Sequence, residues 1–115
     1  MASISKQLLS GSTNGRLIQV AATATPGTLL HTAQSGTAGV DEVYLWAVNT
    51  STSDVLLTIE YGGVGTTNEI KFTIPAQVGL VDIVAKQLLQ NALVIRAYAA
   101  TTAVINIGGY VNRIT

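Results

Sequence analysis

Apolar and polar positions alternate with period two along much of the chain, a spacing that marks β-strands. The clearest case is the run at 55–61. Val55, Leu57, Ile59 and Tyr61 fall on one face, while Leu56, Thr58 and Glu60 fall on the other and are expected to meet water. The run before it, 42–48, differs. Val43, Leu45 and Ala47 would point one way and Tyr44, Trp46 and Val48 the other, so both faces are apolar. Asn49 and the polar segment Thr50-Ser51-Thr52-Ser53-Asp54 join the two runs, which together read as a β-hairpin. The first of them needs cover on its second face, from another sheet or another subunit, and Trp46 is expected to be buried in either case.

The same reading gives β-rich runs near 16–23, 28–33, 42–50, 54–62, 68–74, 80–85, 92–100 and 103–113. Turn chemistry separates them at Thr25-Pro26-Gly27, Ser35-Gly36-Thr37-Ala38-Gly39, Gly62-Gly63-Val64-Gly65 and Pro75-Ala76-Gln77-Val78-Gly79. No long 3.6-residue period is present, so helix should amount to a turn or two at most. In the segment 82–90 the second half lacks β-branched residues, and the expectation is a strand to about 85 followed by an irregular or short helical link. Residues 1–15 contain the turn-like Ser10-Gly11-Ser12-Thr13-Asn14-Gly15 and read as a flexible N-terminal arm. Residues 16–115 then form one domain. About eight short strands at this spacing predict an all-β, single-domain antiparallel β-sandwich.

Composition changes the picture in one respect. The chain of 115 residues has no cysteine, which excludes a disulfide scaffold, and its six basic and six acidic residues cancel. Charged residues make up only 10 % of the sequence, where about 25 % is usual. A folded chain of this mass exposes about 5,900 Å², so those charges are sparse for a protein meant to stay monomeric. Neighbouring subunits are therefore expected to cover part of the surface. No apolar run is long enough for a signal peptide or a membrane span, so synthesis in the cytoplasm and no membrane partner are expected.

Candidate chemistry is thin. His31, the sole histidine, lies in the strand-like Leu29-Leu30-His31-Thr32 and is read as a structural residue bonded to a neighbouring backbone group. Asp41-Glu42 would point to opposite strand faces, which precludes a shared-proton dyad, and reads as the solvated start of a strand. Gly62-Gly63-Val64-Gly65 lacks the Lys-Ser/Thr and helix of a phosphate loop. Lys6, Arg16, Lys71, Lys86, Arg96 and Arg113 are dispersed, so no nucleic-acid partner is expected. The sequence thus predicts no enzyme, catalytic residue, cofactor or metal ligand.

Four blocks carry a resemblance: NGRLIQVAATATPGTLLHTA at 14–33, DEVYLWAVNTSTSDVLLTIEYGG at 41–63, IPAQVGLVDIV at 74–84 and ALVIRAYAATTAVINIGGYVNRI at 92–114. In these the chain resembles a family of small structural proteins of tailed double-stranded DNA phages. The resemblance implies a jelly-roll-like sandwich and a capsid decoration, or cement, protein on the virion surface. Its implied partners are the major capsid protein and further copies of itself, expected as a trimer. The expected interface residues are Ile4, Leu8 and Leu9 of the arm and Tyr44 and Trp46 of the apolar strand. The alternative is a neck, tail or fibre module that binds host glycans through exposed aromatic rings.

Overall fold

The computed structural model describes residues 3–115. Nine strands run in chain order: β1 (Ile4–Leu8), β2 (Ile18–Gln19), β3 (Thr28–Thr32), β4 (Val40–Asn49), β5 (Val55–Tyr61), β6 (Glu69–Ile74), β7 (Val81–Leu89), β8 (Val94–Ala99) and β9 (Ile105–Ile114). Among the described residues the helical content is one 3-10 turn at Thr66–Asn68. Sheet I has the order β1-β9-β4-β7, with β2 beside β9 on the same flank as β1, and sheet II the order β3-β8-β5-β6. Every pairing is antiparallel. From β2 onward the chain changes sheet at every step except β5 to β6, which is the jelly-roll order of strands. The expected antiparallel β-sandwich is the fold observed.

The expected hairpin at 42–63 is corrected. Its arms, β4 and β5, belong to different sheets and meet across the core. Val43, Leu45 and Ala47 from one side and Val55, Leu57 and Ile59 from the other are buried in a single apolar cluster with Leu30, Ile74, Ile95, Ile105, Ile107 and Val111. Asn49, 2 % exposed, fastens the crossing. Its side-chain amide donates to the carbonyls of Ser53 (2.8 Å) and Ile74 (2.9 Å), and its Oδ1 accepts from the Ser51 N–H at 2.9 Å. These bonds satisfy backbone groups that a turn between sheets leaves without ladder partners.

Two further expectations change. Residues 4–9 are not an arm. Ile4–Leu8 pair with Tyr110–Ile114 of β9, and Leu9 lies in the core at 2 % exposure. The segment 82–90 is strand through Leu89. Its irregularity is a β-bulge at Lys86, whose φ is +61°, where the register against β4 slips between Val43 and Leu45, with a second slip between Leu45 and Trp46.

Sheet edges are guarded. The three lysines sit on three of the five edge strands: Lys6 on β1, Lys71 on β6 and Lys86 on β7. Of the other two, β2 is only two residues long and β3 carries a bulge between Leu29 and His31. Lysines and bulges on edges oppose the addition of foreign strands.

Candidate functional site

Odd-numbered residues of β4 fill the core and even-numbered ones stand on the outer face of sheet I, half-buried. Tyr44 lies opposite Tyr110 in the β4–β9 register, and their rings stack with centroids 4.8 Å apart and an interplanar angle of 11°. Lys6 reaches Tyr110 from the β1 side, with its ammonium 5.0 Å from the ring centre. Trp46 lies at 6.2 Å from Tyr110, tilted by 58°. Its indole rests on the backbone of Gly108, where a Cβ would collide with Trp46 Nε1 and approach Leu17 Cδ2 to 2.7 Å. Glycine at 108 is what lets the indole cross β9. Trp46 is therefore a half-buried residue of the outer face; of the two sites of burial expected for it, the sandwich core is not where it lies.

The register carries this face across the sheet. Leu8, Tyr110 and Tyr44 form one row, and Ile4, Ile114 and Val40 another. Ile4 and Leu8 are 71 % and 59 % exposed. Of the five expected interface residues, Ile4, Leu8, Tyr44 and Trp46 share this face, while Leu9 is separated from it in the core. Tyr110 joins the cluster without having been singled out from sequence. The signal available was GGY at 108–110, in which small residues precede an aromatic on a strand.

A polar network closes one end of the sandwich. Asp41 is wholly buried, which corrects its reading as a solvated strand start. Arg113 grips it with two bonds, Nε to Oδ1 and Nη2 to Oδ2, both 2.9 Å. Gln34 adds its backbone N–H to Oδ2 at 3.2 Å and its side-chain amide to Oδ1 at 3.3 Å. His31, also buried, accepts the Ser10 N–H on Nδ1 at 2.9 Å, so its proton is on Nε2 and is donated to Asp41 Oδ2 at 2.8 Å. The backbone bond matches the structural role expected for His31. Burial pushes the Asp41 carboxyl up, but the hydrogen bonds from Arg113 and His31 and the guanidinium charge prevail and hold it below its usual value. Nearby, burial and the Asp41 charge push the Tyr61 hydroxyl up.

The second buried carboxylate is Glu60, 1 % exposed although it faces outward from sheet II. Its neighbour on that face, Thr58, is also buried, so neither meets water as the alternation suggested. The 22–27 loop folds over Glu60. Glu60 accepts the Thr25 hydroxyl at 2.5 Å and the Gly27 N–H at 2.7 Å, and Arg96 donates to the Gly27 carbonyl at 3.2 Å.

Neither network has the layout of a reacting centre. The Ser10 hydroxyl does not contact His31; it accepts the Thr32 N–H at 2.7 Å. Among the described residues there is no pocket beside either carboxylate and no group of side chains arranged to hold a metal ion. These bonds fasten strands and loops. The aromatic and aliphatic outer face of sheet I, with its β1 margin, is an apolar surface left in reach of solvent. Compared with known proteins, the chain matches no family model, no curated protein and no solved structure.

Proposed function

We propose that this chain is a structural component of a tailed-phage virion that decorates the capsid surface as an oligomer and cements it. The observation that carries the reading is the contrast between its surfaces. The outer face of sheet I presents Tyr44, Trp46, Tyr110, Ile4 and Leu8, half-buried or exposed, with the charges of Lys6, Glu42 and Asp82 beside them. Such a face suits a partner that stays bound. The jelly-roll order of strands agrees with the fold that the sequence resemblance implies. The test is the particle. In an icosahedrally averaged map the protein should occupy a repeated surface position at hundreds of copies, with the sheet I face against its neighbours. Particles stripped of it should lose DNA at lower temperature, because a ligand of the assembled shell stabilises that state. A handful of copies at the neck, or unchanged thermal release, counts against cementing.

A second reading is glycan recognition at a neck, tail or fibre position, favoured by the open outward face of Trp46. It has less to work with at Tyr110, whose ring is flanked by Tyr44 on one side and Lys6 on the other. Sugar-dependent quenching of Trp46 fluorescence, abolished by Trp46→Ala, would favour it over the capsid role.

A further inference from the structure

We propose that β1 exchanges between copies of this chain, so that Ile4–Leu8 of one copy pair with the β9 edge of a second. This inference is independent of the virion reading. All five residues of β1 are exposed, so none of its side chains enters the core of its own domain. Its attachment consists of the ladder to β9, the Thr115 N–H bond to the Ser3 carbonyl at 2.9 Å, the Lys6 contact with Tyr110 and the Leu8 side chain against Gly15. A segment with so few buried contacts is among the first to open.

Its root, by contrast, is fixed. Leu9 is buried, the Ser10 N–H is held by His31, the Thr32 N–H by the Ser10 hydroxyl, and the Gly11 N–H bonds to the Leu30 carbonyl at 2.9 Å. The boundary between what can open and what cannot lies at Leu8–Leu9. Opening there frees the edge of β9 from Tyr110 to Ile114 and leaves a five-residue strand facing solvent on both faces.

The occupant that fits the freed edge is the segment the chain itself supplies. A second copy's β1 restores the same register, Ile4 opposite Ile114, Lys6 opposite Asn112 and Leu8 opposite Tyr110, and the same Lys6 contact with the Tyr110 ring. Exchange therefore restores the ladder and the Lys6 contact, leaving only the Leu8 contact with Gly15 of its own copy to be replaced, and it brings a second body alongside side chains that a single copy leaves in water. The competing mode, two β1 strands added edge to edge about a two-fold axis, pairs Ile4 with Leu8 but sets Lys6 directly against Lys6 of the other copy. Like charges directly opposite are unfavourable.

The absence of cysteine makes the test direct. Lys6→Cys and Asn112→Cys are prepared as separate full-length variants, mixed at high concentration and oxidised with oxidised glutathione. Directly opposite residues of an antiparallel pair have Cα atoms about 4.5–5.5 Å apart, within the span of a disulfide. Random collision would make the mixed disulfide equal to the two homodimers together. Exchange predicts a mixed product well in excess of that sum. Ile4→Cys with Ile114→Cys, the adjacent matched pair, repeats the measurement should the first variants fold poorly. A mixed product no greater than the collision value at both pairs overturns the proposal. So does a predominant Lys6→Cys homodimer, which would report edge-to-edge addition.

Discussion

The two outer faces of this sandwich are finished in opposite ways. On sheet II the chain covers its own polar groups: the 22–27 loop lies over Glu60, the Tyr98 hydroxyl donates to Glu69 at 2.9 Å, and Lys71 stands 3.8 Å from the same carboxylate. On sheet I the outer face is a stack of aromatic rings margined by exposed aliphatic groups, with Gly15 and Leu17 of the preceding loop touching only its β1–β2 margin. The first face is partly covered within one copy, and in the function proposed above the second is the face that a partner covers. Face II should therefore matter to the stability of the monomer more than face I, while face I should matter more to association.

The largest effect should come from the network that ties the two sheets together. Asp41 on β4 joins His31 on β3 of the other sheet to Arg113 on β9. Asp41→Ala leaves the guanidinium and imidazole without their acceptor and should cost about 3–5 kcal/mol by denaturant unfolding. A loss near that of a surface substitution would mean that the apolar core alone holds the sheets. The wild-type advantage over Asp41→Asn should also depend on pH. Because the folded carboxyl is held low, the unfolded chain binds more protons, so stability rises with pH. The advantage should be fully present above the unfolded value of about 3.9 and fade as pH falls below it. A gap that widens on acidification contradicts the assigned sign.

Next in size is the carboxylate of face II. Glu60→Gln removes charge-assisted bonds to Thr25 and Gly27 and should cost about 1.5–3 kcal/mol. Amide exchange at Gly27 should quicken while Trp46 emission stays as it was. On face I, Gly108→Ala sets a methyl group where the indole lies. It should cost about 1–3 kcal/mol through overpacking and make Trp46 more accessible to iodide, with the Gly27 amide unaffected. Cross-talk, in which either variant moves the other's probe, would show that the faces are not independent.

How much of this was legible beforehand follows from where each signal resides. Alternation within β5 or β8 is local and marks the strands well, because half of each strand is buried by neighbours on both sides. In β4 it showed two apolar faces without showing which of them turns inward. It did not identify the sheet that each strand joins, since an arch and a hairpin bury the same alternate residues. β1 left no apolar alternation because it buries nothing, and its partner lies about a hundred positions away in β9. Asp41 and Glu60 read as solvated because charge is a local property, whereas Arg113 and the loop at 25–27 that remove them from water are remote in sequence. On face I, Tyr44 and Trp46 were recognisable as an apolar pair, but the stack needed the β4–β9 register to bring in Tyr110.

The smallest expected change in stability belongs to the edge lysines, and there the sheets can be compared once more. Lys71 stands on β6, whose register with β5 is continuous from Val55–Ile74 to Glu60–Glu69, and the neighbouring Phe72 is 40 % exposed. Lys86 stands on β7 at a bulge that already bends the edge away from any flat partner. If lysine and bulge are alternative guards, removing the lysine should matter where no bulge backs it up. Lys71→Thr and Lys86→Thr should each alter unfolding stability by less than about 0.5 kcal/mol, as exposed substitutions usually do. Under mild heating Lys71→Thr should scatter light sooner than wild type, and Lys86→Thr should follow the wild-type trace. Equal scattering by the two variants would show that the bulge protects nothing, and that the lysine alone keeps the edge of sheet I unpaired.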